Sequence, residues 1–485
     1  MFVRAVSLIS WIVCLNPKHT IHEPTRNLTN QHESHSVKVL LLNQCFYPDV
    51  AATGQYLTEL GQGLVERGHD VTVVTSRRAY DDPNVTFPKR QMWHGIKIIR
   101  LFTFGLGKKG RARRALDFAS FSLACLLRLA LLPRFDVVIA LTSPPLISWL
   151  ASMFVRIKGG RLIFWVMDLN PDEAIAAGWL KQDSFAARAL EYFLRSSMRH
   201  STKIIALDRF VKQRIRGKGI PEAKITVIPP WSHDEDVRYD PEGRESFREL
   251  HGLSAKYVVM YSGNHSPCHP LDTLLSAAKE LRERDDISFC FVGGGSEKNK
   301  VRAFAANHSL GNVTCLPYQP LQGLAASLSA ADMHVVVMGD SFAGILHPCK
   351  IYNILAIGSP FLYIGPHESH IADLIAPSSV NFPGRTARHD DVVTVVKIIS
   401  DGADNARDIR NEQLNGLAAS FSKEVLLPRM IEVVASVGVE GTVTTPATPG
   451  GADSGATTST GSSTAKRLRP PAQGCRASAA TLGKE

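Results

Sequence analysis

No Cys-x-x-C pair occurs among the eight cysteines of this 485-residue chain. They lie scattered at Cys14, Cys45, Cys125, Cys268, Cys290, Cys315, Cys349 and Cys475, several of them in strand-like segments. That pattern argues against a disulfide scaffold and predicts free thiols of a reducing compartment. The loop after the first strand, Phe46-Tyr-Pro-Asp-Val-Ala-Ala-Thr-Gly54, lacks G-x-G-x-x-G, and no acidic residue ends the second strand, so nicotinamide binding is disfavoured. No D-x-D triplet follows a strand of the second half, so no metal is expected there. The net charge of +10 comes partly from the tails and from one basic stretch, and does not make a nucleic-acid binder. The apolar run from Phe2 to Leu15 is signal-like but too short to span a bilayer, and no small-residue cleavage site follows it. Residues 1–35 therefore read as an atypical extension, non-homologous or wrongly started, rather than as an anchor or signal.

What is present is hydrophobic enough, at 44% of residues, to bury more than one core. Ser36–Asn43 has the continuous apolar run of a buried parallel strand. A helix follows from Gly54 to Arg67, closed by Gly68, and a second strand runs from His69 to Thr75. That spacing predicts a right-handed parallel unit of a doubly wound sheet. Further strands are expected at 96–101, 137–141, 162–166, 203–206 and 225–228. Pro229-Pro230 marks a domain boundary. Beyond it, strands at 257–261, 287–292, 313–315, 333–338 and 361–364 alternate with helices. The organisation is thus α/β: a Rossmann-like domain over 36–230, a second over 231–418, and a helix over 419–440 crossing back to the first. From 441 to 485 the chain is Thr, Ser, Gly, Ala and Pro with a basic finish, too poor in apolar residues to fold.

Three turns of the second half carry chemistry. Met333–Met338 is a buried strand broken by Asp340 and Gly344, and Pro348 then favours a helix start that sets Lys350 among free backbone N–H groups. Val258–Asn264 ends in Gly-Asn before Pro270, and Phe289–Ser296 empties into three glycines. Small or cationic residues at three strand-to-helix turns are what a nucleotide diphosphate needs.

Phe-Tyr-Pro-Asp followed by Thr-Gly54-Gln, the helix ending Glu-Arg-Gly-His-Asp-Val-Thr-Val-Val, Asp168-Leu-Asn-Pro-Asp172, Tyr261-Ser-Gly-Asn264, Phe291-Val-Gly-Gly-Gly295 and Pro348-Cys-Lys350-Ile-Tyr together resemble the family-four glycosyltransferases. The resemblance covers roughly residues 37–437 and is nearest the members that build lipid-linked or exopolysaccharide sugars, the colanic-acid type included. It implies a GT-B fold, a nucleotide-sugar donor, a glycan or polyprenyl-linked acceptor, no metal or other cofactor, and retaining transfer of a hexosyl or N-acetylhexosaminyl group. It places Gly54, Gly263 and Asn264 around the donor phosphates, and Gly293, Gly294, Gly295, Ser296 and Tyr318 beside the nucleoside. Lys350 would neutralise the leaving diphosphate, and Asp168 would face the acceptor or the sugar. Two departures stand out. The glutamates that many members carry eight positions apart are Ile345 and Asn353 here, and Asn353 can still hydrogen-bond a ribose or sugar hydroxyl. The usual cation after Gly-Asn is missing, so His265 or His269 would substitute for it.

The same residues admit other readings. The glycines serve tight turns equally well, Asp168 could cap a helix, and Lys350 could be a solvated helix residue. His265, Cys268, His269, His347 and Cys349 could gather a zinc ion, although imidazoles bonded to phosphate suit a reduced cytosol better. A non-hydrolysing sugar-nucleotide 2-epimerase would use the same architecture, with Asp168, Asp172 and Glu173 as acid and base, and a non-catalytic subunit would explain the missing glutamates. Lys108-Lys-Gly-Arg-Ala-Arg-Arg114 with the apolar helix Ala115–Leu132 fits either peripheral contact with an anionic membrane at its cytoplasmic face or a buried helix beside a solvated loop.

Overall fold

The computed structural model describes residues 36–49, 51–79, 84–106, 111–232, 237–375, 384–405 and 412–439. The N-terminal extension, Lys108, Lys109 and the tail from 441 lie outside the described residues.

The first sheet is built from β1 (Lys38–Leu42), β2 (Asp70–Ser76), β3 (Arg90–Trp93), β4 (Ile96–Leu101), β5 (Val137–Ala140), β6 (Arg161–Val166), β7 (Lys203–Ala206) and β8 (Ile225–Val227). Its order is β3-β4-β2-β1-β5-β6-β7-β8. All pairings are parallel except β3 with β4. Val39 faces Val71 on one side and Val137 on the other, so buried apolar residues are in register across the centre. Helices α1 (Ala52–Glu66), α2 (Arg111–Leu131), α3 (Ile147–Lys158), α4 (Asp172–Ala176), α5 (Phe185–His200) and α6 (Arg209–Gly217) connect the strands. Strand β3 alternates exposed and half-buried residues, which is why no apolar run announced it.

The second sheet is wholly parallel. It comprises β9 (Tyr257–Asn264), β10 (Ile287–Gly294), β11 (Val313–Leu316), β12 (Met333–Val337), β13 (Phe361–Ile364) and β14 (Gly384–Ala387), in the order β11-β10-β9-β12-β13-β14. Around it lie α7 (Pro241–Leu250), α8 (Asp272–Glu280), α9 (Lys298–Asn307), α10 (Leu324–Ser329), α11 (Lys350–Ala356), α12 (His370–Ile375), α13 (Val392–Asp404) and α14 (Glu412–Ala419). The edge strand β14, Gly-Arg-Thr-Ala, has no apolar run and was invisible in the sequence. Helix α11 begins at Lys350, two residues later than the Pro348 start the sequence favoured.

The last helix, α15 (Lys423–Val439), returns to the first sheet. Its Leu426, Met430, Ile431, Val434 and Val437 join the core formed by β1 and α1. Gly63 of α1 lets the helices approach: a Cβ there would lie 2.8 Å from the Ile431 side chain.

Both sheets change winding direction at one place, between β1 and β5 in the first and between β9 and β12 in the second. Ligands of doubly wound sheets bind beyond the strand ends at such points. The chain leaving β1 leads to Gly54, the chain leaving β9 to His265, and the chain leaving β12 to Lys350.

Candidate functional site

Two lysines lie at these strand tips: Lys298 donates to the carbonyls of Gly293 and Leu316, whereas Lys350 has no hydrogen-bond partner among the described residues. Its Nζ is buried without a hydrogen-bond partner, 3.8 Å from the centroid of the Tyr261 ring. Burial lowers its pKa to about 7. The solvated-helix reading of Lys350 is therefore set aside. Gly263 makes the space, since a Cβ there would sit 2.8 Å from Nζ.

The glycines do more than turn. Gly263, Gly293 and Gly295 have φ of +142°, +130° and +133°, which L side chains rarely adopt. A Cβ on Gly293 would stand 2.0 Å from the Gly263 carbonyl oxygen, and one on Gly295 would stand 2.2 Å from the His265 carbonyl oxygen. The tips of β9 and β10 thus lie in backbone contact, with Gly263 against Gly293 and Asn264 against Gly294 in register. Tyr318 covers Gly294 and donates its hydroxyl hydrogen bond to the Gly294 carbonyl at 3.3 Å. Asn264, Gly295 and Ser296 are exposed at this rim, and Asn353 is half-buried within α11.

His265 does not replace the missing cation. Burial first of all holds its ring at about 4, and the Lys350 charge adds to this. Its Nδ1 meets the Gly263 carbonyl at 3.1 Å, while Nε2 is buried without a partner. His269 is lowered to about 3, chiefly by burial, with Nδ1 on the Val337 carbonyl at 2.7 Å. Both rings are neutral, so the expectation of a histidine cation is corrected.

From the first domain, α1 and the end of β6 face the Lys350 turn. Gly54, in the first turn of α1, packs so closely that a Cβ would meet Cys45 at 3.2 Å. Two residues on, Tyr56 hydrogen-bonds Cys349. Asp168 follows β6. It does not cap α4, whose N-cap is Pro171. Burial, then the Glu173 charge, raise its carboxyl to about 7, with Arg114 opposing. Burial, then Glu173 and Asp168, raise the Cys268 thiol to about 11, and burial, then Asp168, raise that of Cys349 to about 12. Those thiols stay protonated at neutral pH, and the Cys349 thiol donates to the His347 carbonyl at 3.2 Å. Asn170 donates from Nδ2 to Glu173 at 3.2 Å.

A second cluster, missed in the sequence, ties the domains together. Asp208 caps α6 by accepting from the amides of Phe210 and Val211 at 2.8 Å. Its other oxygen accepts from His347 Nδ1 at 2.7 Å, and Tyr352 hydroxyl meets His347 Nε2 at 2.6 Å. His370 stacks on His347 with centroids 3.7 Å apart and planes at 18°. Among the described residues, Asp208, His347 and His370 place donor atoms within 4.8 Å of one another. Nearly parallel stacked rings direct their lone pairs side by side rather than to one point, and His347 already has both nitrogens engaged. The arrangement is a hydrogen-bonded tie between domains. Arg209 on α6 completes it with a paired contact to Asp373 on α12, at 2.8 Å for Nη2. Ile345, at one family glutamate position, is buried in the first domain's core with Phe164 and Leu169.

The comparisons agree with this arrangement. Residues 52–231 match the model described as "Glycosyl transferase 4-like domain" and residues 243–344 match "Glycosyl transferases group 1". The chain is 23% identical over 333 residues to the putative colanic acid biosynthesis glycosyl transferase WcaI of Escherichia coli K12, covering 66% of this chain and 82% of the relative. It is 22% identical over 365 residues to the probable glycosyltransferase WbjE of Pseudomonas aeruginosa, covering 72% and 85%. Among solved structures, sucrose-phosphate synthase from Thermosynechococcus elongatus superposes with a TM-score of 0.66 at 16% identity, over 83% of this chain and 100% of that one. WaaG, a glycosyltransferase of lipopolysaccharide biosynthesis, gives 0.61 at 16% identity, over 82% and 99%. Neither the domain models nor the relatives support an epimerase. With both domain models matched in order and two doubly wound sheets in the GT-B arrangement, the chain belongs to the glycosyltransferases that join a 4-like domain to a group 1 domain.

Proposed function

We propose that this glycosyltransferase moves a hexosyl or N-acetylhexosaminyl group from a nucleotide-diphosphate donor to a glycan or polyprenyl-linked acceptor, with retention, in cell-surface polysaccharide synthesis at the cytoplasmic face of the membrane. One observation carries the reading: a buried, unpartnered lysine amine beside glycines of β9 and β10 whose backbones admit no side chain. Such a lysine is costly without an anion, and a diphosphate would supply one.

In this reading the bond between the anomeric carbon and the diphosphate breaks with its electron pair on the diphosphate. Lys350 meets that charge as it develops, so no metal cofactor is invoked. His265 presents its unpartnered Nε2 to the sugar or phosphate. Asn264, Gly293 to Ser296 and Tyr318 border the nucleoside, Gly54 lies under the phosphates, and Asn353 meets a hydroxyl. Asp168 accepts a hydrogen bond from the acceptor hydroxyl, whose oxygen forms the new bond to the anomeric carbon while its proton passes to the departing diphosphate. The sugar type and the retained configuration rest on the family resemblance, and the pathway on the relatives named above.

Incubation with single nucleotide sugars tests the reading. Slow release of free sugar from one donor, undiminished by EDTA, is the expected result. Absence of both turnover and any thermal shift with UDP, GDP or their sugars would reject it.

A further inference from the structure

Helix α2 is apolar on both sides. Phe121, Cys125 and Leu129 point inward to the β1–β5 core. On the opposite side, Leu116, Leu123, Leu127 and Leu131 are 51%, 60%, 62% and 78% exposed. The spacing 116, 123, 127, 131, filled in by Ala119 and Ala130, makes one continuous stripe about 22 Å long at 1.5 Å per residue. Phe104 and Leu106, also exposed, run alongside, because Ser120 and Asp117 hold their backbone amides at 3.2 and 3.0 Å. A second apolar face, beyond the one that packs on the sheet, calls for a further covering surface, and among the described residues no side chain covers this one.

Charge identifies the occupant. Arg113 and Arg114 are exposed at one end of the stripe. At the other end stand Arg134, Arg156 and Lys158, with Arg134 within 3.5 Å of where a side chain on Gly159 would begin. Asp117, the acidic residue of α2, is used by the Leu106 amide. Two copies paired through this face would set basic ends against basic ends when antiparallel, and each end against itself when parallel. An anionic bilayer surface satisfies both the leucines and the arginines. No described helix is long and apolar enough to cross a membrane, so α2 would lie along the surface.

We propose that the outward face of α2 inserts flat into the interface of an anionic lipid bilayer, which places the mouth of the cleft at the membrane. The link to the cleft is the start of α2, which lies beyond the C-terminal end of β4, the same end of the parallel sheet at which Asp168 leaves β6. There Arg114 lowers the carboxyls of both Asp168 and Glu173. An acceptor anchored in the bilayer would then emerge beside Asp168. That last step rests on the transferase reading; the docking itself does not.

Vesicle flotation tests the docking without donor or acceptor. The protein should float with vesicles of equal parts phosphatidylcholine and phosphatidylglycerol, and much less with phosphatidylcholine alone. L123Q/L127Q should lower the bound fraction at least about tenfold, because each leucine loses most of its transfer energy. UDP or GDP thermal shifts should be unchanged in that variant, which shows that the fold and donor site survive. Equal flotation of wild type and L123Q/L127Q would overturn the proposal. So would a wild-type dimer that L123Q/L127Q dissociates, since a second copy would then cover the face. Vesicle binding lost in a variant that keeps the wild-type melting temperature, in a protein that shows neither turnover of nor thermal shift with any nucleotide sugar, would uphold the docking and reject the transferase reading alone.

Discussion

The Lys350 amine stands 3.8 Å from the centre of the Tyr261 ring and has no hydrogen-bond acceptor. The π face offers part of what solvation would, yet burial still brings the amine to about 7. The residue is thus held near its point of charging, ready for an anion to complete it.

Replacing Lys350 with Met should separate stability from function. Met fills the same apolar space, so the melting temperature should stay equal or rise once the buried amine is gone. Turnover should fall about 10²–10³-fold, the range for losing one preorganised electrostatic donor. Donor hydrolysis assays beside melting curves decide it, and wild-type kcat/KM in a folded variant would end the assignment.

The same amine predicts a pH dependence of donor affinity. Without ligand it titrates near 7, and a bound diphosphate raises that value by favouring the charged form. Above about 7, binding must take up a proton, so affinity for UDP or GDP should weaken by up to about tenfold per pH unit. Calorimetry in buffers of different ionisation heat would count the proton. Lys350→Met should remove the uptake.

Much of this architecture was legible because parallel central strands are continuous apolar runs, as in Val39–Leu42 and Val335–Val337. Strands β3 and β14 escaped because edge strands bury one face or little at all. The lysine and the glycines were legible as a motif, for only glycine tolerates the contacts at 263, 293 and 295. The protonation states were not. That His265 is neutral and Asp168 near neutrality follows from burial and neighbours brought in from other elements. The Asp208, His347 and His370 tie was invisible for the same reason: Asp208 is more than a hundred residues from the two histidines and meets them only when the domains do.

Gly293→Ala should damage the site through the backbone. The new Cβ would lie 2.0 Å from the Gly263 carbonyl oxygen at a φ of +130°. A loss of about 2–3 kcal/mol is expected from the strained conformation and clash, together with loss of nucleotide binding. Gly311→Ala, with open space at Cβ, should change stability by less than about 0.5 kcal/mol. Chemical denaturation of both variants provides the comparison.

Glu173 and Arg114 should shift Asp168 in opposite, predictable directions. Glu173 raises Asp168, and Arg114 lowers both. If transfer needs ionised Asp168, the acid limb of the rate profile falls near pH 7. Glu173→Gln should move that limb to lower pH, and Arg114→Gln should move it higher. A limb that ignores both changes would show that Asp168 does not control the rate.

Acid should loosen the tie between the domains. The His370 ring is held well below its ordinary value of 6.5, by burial and then by stacked His347, with Asp208 opposing. The folded state keeps it neutral while the unfolded chain protonates it, so its contribution is full above about 6.5 and falls as pH drops. For Asp208, burial alone would raise the carboxyl, but the hydrogen bond from His347, followed by lesser contributions that include the Val211 amide, brings it to about 2. Its contribution is present above the usual carboxylate value near 4 and disappears only below that. Tyr352, Cys349 and the Arg209 pair with Asp373 also face the cluster. His265, His269 and His334 are held low as well, so the wild type loses stability below pH 6.5 through several groups. His370→Phe preserves a ring against His347 and removes one of those protons. The stability difference between wild type and variant should therefore change, against the wild type, by about 1.4 kcal/mol per pH unit between roughly 6.5 and 5. Denaturation curves at successive pH values measure it, and parallel curves would mean that His370 takes up no proton on unfolding.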